Sequence, residues 1–99
     1  MLNIEKTINA SELTVALTGR LDTTTAPDLE KELKASMDGI ASLVIDMTAL
    51  EYISSAGLRV LLLAQKVMNK QGKMTVKHVN ETIMEIFEVT GFSDILTIE

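Results

Sequence analysis

The residues best placed to do chemistry lie together in Tyr52-Ile53-Ser54-Ser55-Ala56-Gly57, where two hydroxyls precede a long stretch of helical periodicity. Two adjacent serines at a helix start have different roles open to them. A side chain at the N-cap accepts a hydrogen bond from a backbone N–H two or three residues on, and Ser54 stands at that position relative to Ala56 and Gly57. Ser55 then falls in the first turn with its hydroxyl free to face solvent. Unpaired backbone N–H groups and the positive end of the helix dipole favour an anion there, so the fold would tolerate a phosphate on Ser55.

Catalysis by the chain itself finds little support, and no enzyme activity is expected. Nucleophilic and acid–base mechanisms need groups that activate one another, and no such set stands out. A Ser-His-Asp arrangement of Ser55, His78 and Asp46 would have to be assembled in space, so His78 reads instead as a strand-end residue with a structural role. There is no glycine-rich phosphate loop. With no cysteine and a single histidine, neither a thiolate nor a histidine cluster is available for a metal, and no cofactor is expected.

Composition narrows the partners. Fourteen acidic against nine basic side chains give a formal net charge of −5, which repels a phosphate backbone and excludes direct nucleic-acid binding. No run approaches the roughly 20 apolar residues of a membrane-spanning helix. The start, Met1-Leu2-Asn3-Ile4-Glu5-Lys6, lacks a basic region followed by an apolar one, so no membrane insertion and a cytoplasmic location are expected.

The elements that must position these residues follow from periodicity. Leu2, Ile4 and Ile8, then Leu13, Val15 and Leu17, repeat with the period of two of half-buried strands, and Asn9-Ala10-Ser11 between them predicts a hairpin turn. Leu29, Leu33, Met37 and Ile40 mark one face of a helix starting near Ala26. Thr25 with Asp28 resembles a capping box, Pro27 lies in the first turn, and Gly39 is the expected stop. Leu43-Val44-Ile45, ending at Asp46, reads as a central strand followed by a short loop. A second helix is predicted from about Ser55 to Gln71, with Gly72 ending it. Met74 to Val79 alternates as a strand, Asn80 caps a third helix closed by Gly91, and Ile95-Leu96-Thr97-Ile98 reads as a last short strand. The expected architecture is α/β, a single domain over residues 1–99, with a mixed sheet of about five strands opened by an N-terminal hairpin and about three helices on one face.

The order and spacing of these motifs resemble the STAS family, and within it the anti-sigma factor antagonists of bacterial partner-switching systems. Leu17-Thr18-Gly19-Arg20-Leu21-Asp22 is similar to an early family motif. The strand ending in Asp46, then Tyr52-Ile53-Ser54-Ser55-Ala56-Gly57-Leu58, resembles the segment that carries the family's phosphoacceptor serine, and Phe87-Glu88-Val89-Thr90-Gly91-Phe92 resembles a later one. The resemblance implies a cycle. The unphosphorylated protein binds an anti-sigma factor that is also a serine kinase and frees a sigma factor; phosphorylation at Ser55 breaks that complex, and a serine phosphatase restores it. Asp22 matches a family aspartate near the acceptor. An alternative within the same family is a subunit of a membrane-transport ATPase assembly, in which Ser55 is only a cap-region serine.

On a helical wheel of 100° per residue, Ser55, Arg59, Leu62 and Lys66 share one stripe, while Ala56, Val60, Ala64 and Val67 are better suited to the sheet. Leu62 is therefore expected to be exposed, as an apolar anchor for a partner, with Arg59 able to pair with a phosphoserine. The surface expected to meet a partner comprises Asp22, Thr24, Ser54, Ser55, Arg59 and Leu62.

Overall fold

The structure, a computed structural model, describes residues 1–99. Strand β1 (Leu2–Asn9) turns through Ala10, whose φ of 55° lies in the left-handed region, into β2 (Glu12–Leu21), and the two pair antiparallel. Helix α1 (Ala26–Ser36) leads to β3 (Ser42–Ile53), and α2 (Ser55–Gln71) leads to β4 (Lys73–Lys77). Both strands that follow a helix pair parallel to their neighbour, so the sheet is mixed, with order β1-β2-β3-β4. Helix α3 (Glu81–Thr90) and a short 3-10 turn at Phe92–Asp94 complete the chain.

A single cluster of 24 buried apolar residues joins the layers. Leu13, Val15 and Leu17 of β2 and Leu43 and Ile45 of β3 meet Leu29 and Leu33 of α1, Leu61 and Met68 of α2, and Ile83 and Phe87 of α3. Alternate residues such as Thr14, Ala16 and Val44 are only half-buried, as the period of two requires when helices cover one face of a sheet.

Five expectations need correction. The sheet has four strands, not five: Ile95–Ile98 contributes one isolated parallel bridge, Val76 to Ile98. The 3-10 turn is the reason, since the N–H groups of Ile95 and Leu96 both go back to the Phe92 carbonyl, at 3.0 and 2.8 Å, leaving too little chain to extend. Next, β3 does not end at Asp46 but continues to Ile53. Two register shifts against β2 accommodate an extra β3 residue each, so its buried positions run Leu43, Ile45, Met47, Leu50 and Ile53. The steps of three after Met47 mimic a break in the strand.

At the start of α1, Thr25 forms no side-chain cap, and α1 ends at Ser36, before Gly39. The Met37 N–H closes the helix on the Leu33 carbonyl at 2.9 Å, and Gly39, at φ 79°, serves the turn that follows. Finally β4 stops at Lys77, because His78 takes a left-handed φ of 60° that no strand continues through. The caps expected at Ser54 and Asn80, and the Gly91 stop at φ 83°, are present.

Candidate functional site

Two connections meet at the carboxyl end of β2 and β3, the edge where open parallel sheets place their functional loops. One is Asp22 to Thr25, between β2 and α1; the other is Ser54 to Gly57, at the entry of α2. The Ser54 N–H donates to the Leu21 carbonyl at 2.9 Å and ties them together.

Within the first connection the Asp22 carboxylate organises its own loop. Its Oδ1 accepts from the Thr24 hydroxyl at 2.8 Å and from the N–H groups of Thr24 and Thr25 at 3.0 and 3.1 Å. The Thr24 hydroxyl is the main cause holding the Asp22 carboxyl below its ordinary value, so the group is a stable anion. The buried Thr25 hydroxyl accepts from the Asp22 N–H at 2.8 Å and donates to the Arg20 carbonyl at 2.9 Å. This loop closure by Thr25 was not legible as such: the Thr25–Asp28 spacing pointed forward along the helix, whereas the threonine bonds backward.

At the second connection the serines divide their roles as expected. Ser54, extended at φ −98° and ψ 175°, accepts from the Gly57 N–H at 3.4 Å, a long bond. Ser55 is exposed and its hydroxyl bonds to no other group of the chain. No acidic residue occupies the first turn of α2, so nothing in that turn neutralises the positive end of the helix. Gly57 is buried, and a Cβ there would stand 2.7 Å from Leu21 Cγ and 2.9 Å from Ile53 Cγ1. Only glycine lets α2 enter this close to the ends of β2 and β3, and that close entry sets where Ser55 emerges.

Asp22, Thr24, Ser54 and Ser55 therefore share one edge of the molecule, with exposed Arg59 one turn along α2. Leu62 departs from expectation. It is half-buried, whereas Leu63 and Val67 are 41% and 43% exposed, so the apolar face of α2 is rotated from the one inferred by the wheel. An additional neighbour was missed: the Arg20 guanidinium lies over the Tyr52 ring, 4.5 Å from its centroid, because those residues are register partners in β2 and β3.

Asp46 and His78 do meet, with Oδ1 and Nδ1 3.0 Å apart, but neither bonds to Ser55. Asp46 also accepts from the Thr48 hydroxyl and N–H. The hydroxyl contributes most to bringing the Asp46 carboxyl down to about 2, which suits a structural anion and not a base.

The mixed sheet with its helices packed over one face, and the two loops brought together at the entry of α2, define a small α/β domain. The chain belongs to the STAS domain family, whose model matches residues 3–99. It is 39% identical over 88 residues to BtrV of Bordetella bronchiseptica, provisionally named an anti-sigma factor antagonist, covering 87% of this chain and 76% of the relative. It is 29% identical to the anti-sigma-B factor antagonist of Bacillus subtilis, covering 98% of this chain and 90% of that protein. Among solved structures, an anti-sigma factor antagonist from Mycobacterium paratuberculosis shares the fold at a TM-score of 0.89 and 24% identity, covering 99% of this chain and 85% of that one.

Proposed function

We propose that this protein is an anti-sigma factor antagonist: unphosphorylated, it binds an anti-sigma factor that is also a serine kinase, and phosphate on Ser55 releases it. The observation that carries the reading is the Ser55 hydroxyl, exposed and unbonded on the first turn of α2, beside a Ser54 already committed as cap. The names of the curated relatives support the antagonist role, and a phosphatase is needed to reset the cycle. Phosphate adds a charge of about −1.5 to −2, which at a close interface acts by repulsion and desolvation. A hundredfold loss of affinity corresponds to about 2.7 kcal/mol, within reach of that change.

The decisive experiment is phosphopeptide mapping after incubation with the cognate kinase and ATP, followed by titration of both forms against the kinase. Phosphate on Ser55 with weakened binding is the expected result. Phosphate on Ser54 alone, or equal affinity of the two forms, overturns the switch. Stable copurification with a transport ATPase regardless of Ser55 would instead favour the transport-assembly role.

A further inference from the structure

Charge is unevenly distributed along the chain, and α2 is its basic extreme. In a protein of formal net charge −5, this helix carries Arg59, Lys66 and Lys70 and no carboxylate. All three are exposed, and none has an acidic partner within ion-pair distance; the pairs formed are Lys6–Glu32, Lys34–Glu30, Lys77–Glu99 and His78–Asp46. Across from them on α1, Glu30 is bonded to Lys34 at 2.9 Å and also feels the charge of Arg59, which leaves Lys66 and Lys70 as the cations of α2 with no acidic neighbour.

Between α1 and α2 lies an open apolar depression of about 60 Å³, floored by Leu33, Met37, Val60 and Ala64, with Glu30 and Lys34 on its α1 side. Leu63 and Val67, one turn apart, form its accessible lip. From Arg59 to Lys70 α2 extends about 17 Å, a length that three turns of a facing helix would match. Apolar surface at Leu63 and Val67, edged on the α2 side by the unpaired Lys66 and Lys70, accepts a helix with a narrow apolar row flanked by carboxylates, the helix-in-groove mode of recognition. A basic helix is excluded by repulsion, which is how charge sets partner choice. A lipid surface is a poorer match, because insertion requires protruding apolar side chains and these two edge a groove.

We infer that the α1–α2 groove is a docking site for an acidic amphipathic helix of a partner protein. Its lysines, Lys66 and Lys70, and its apolar lip stand along the middle and far part of α2, and its occupancy does not depend on the state of Ser55. The site is thus separate in chemistry from the switch: one end of α2 responds to phosphate, and the body of the helix reads acidic sequence.

The test uses the full chain, isotope-labelled, and a synthetic helical peptide of about four turns with leucines at i, i+4 and i+7 flanked by glutamates. Amide shifts are expected to move at Leu63, Lys66, Val67 and Lys70. Lys66→Glu combined with Lys70→Glu is expected to weaken binding about tenfold or more, with Val67→Ser acting in the same direction and both proteins retaining their circular dichroism. Ser55→Asp should bind the peptide as the unaltered chain does. The inference is overturned if shifts do not map to the groove or if a peptide with lysines in place of glutamates binds equally. It is equally overturned if anionic lipid vesicles, and not the peptide, bind in a manner lost with the double substitution, or if sedimentation shows the groove occupied by a second copy of the chain.

Discussion

Asp22 and Thr25 hold each other in both directions: the Thr25 hydroxyl accepts the Asp22 N–H, and Asp22 Oδ1 accepts the Thr25 N–H. The loop they close lies at the Ser55 edge, so its shape is set locally, before any partner arrives. Replacing Thr25 with Val keeps the volume but strands the Asp22 N–H and the Arg20 carbonyl, at a cost of about 1–3 kcal/mol for the unpaired groups. Urea denaturation is expected to show that loss for Thr25→Val and a smaller one for Asp22→Ala, whose carboxylate is solvated. If Asp22 also touches the partner, Asp22→Ala loses more binding than Thr25→Val does.

Gly57→Ala tests how tightly α2 is seated. Alanine gains roughly 0.8–1.0 kcal/mol of helix propensity, but its Cβ would overlap Leu21 and Ile53, and overpacking costs about 1–3 kcal/mol. A net loss of about 1 kcal/mol is expected, seen in thermal melting as a fall of roughly 4–8 °C. The rate of phosphate transfer to Ser55 should fall too, since the helix entry must shift to make room. Unchanged melting would mean that the contact is not tight.

Much of this site was legible because helix ends announce themselves chemically: Ser54, Asn80 and Gly91 occupy the cap positions their residue types indicate. The parts that were not legible depend on pairing between distant segments. Nothing near Met47 signals that β3 continues, since its bulges arise from register against β2 and turn a period of two into steps of three. The backward bond of Thr25 and the stacking of Arg20 on Tyr52 likewise exist only once β2 and β3 lie side by side. Ile95 to Ile98 has strand composition, yet the turn that follows Gly91 uses the backbone groups a strand would need.

Serine substitutions at the α2 entry should separate cap from acceptor. Ser54→Ala is expected to cost about 0.5–1 kcal/mol of stability, toward the low end because the 3.4 Å bond is long, and to leave phosphate incorporation in place. Ser55→Ala should stay within about 0.5 kcal/mol of the original stability, abolish phosphate incorporation and bind the kinase constitutively. Phosphate on Ser55 should leave far-ultraviolet dichroism unchanged, because negative charge is favoured at that helix end. Loss of the dichroism would identify unfolding as the mechanism of release.

The Asp46–Thr48–His78 cluster predicts an acid-sensitive component of stability. Because the folded carboxyl sits near 2, below its ordinary 3.8, its contribution is fully present above about 3.8 and disappears as pH falls through about 2. The shift corresponds to at most about 2.4 kcal/mol, and partial exposure reduces it toward about 1. Urea denaturation between pH 5 and about 2 is expected to show Asp46→Asn less stable than the original at the upper end, with the gap closing toward the lower. A gap that is constant with pH would assign the loss to the hydrogen-bond geometry and not to the charge.

Leu62 and Leu63 are adjacent yet face different surroundings, and that difference is measurable. Val60 and Ala64 are buried where α2 meets α1, which turns Leu63 to the groove lip at 41% exposure and leaves Leu62 half-buried on the other flank of the helix. Full burial of a leucine is worth about 2–5 kcal/mol on truncation, so Leu62→Ala is expected to cost about 1–2 kcal/mol and Leu63→Ala about 1 or less. If Leu62 anchors the partner recruited at Ser55, Leu62→Ala additionally weakens that complex by about 1 kcal/mol or more, while Leu63→Ala leaves it intact and weakens the acidic peptide instead. Calorimetric titration of each variant against the kinase and against the peptide distinguishes the two surfaces. A loss of both ligands from either single variant would show that one continuous interface covers α2, and that the rotation of its apolar face does not divide two partners.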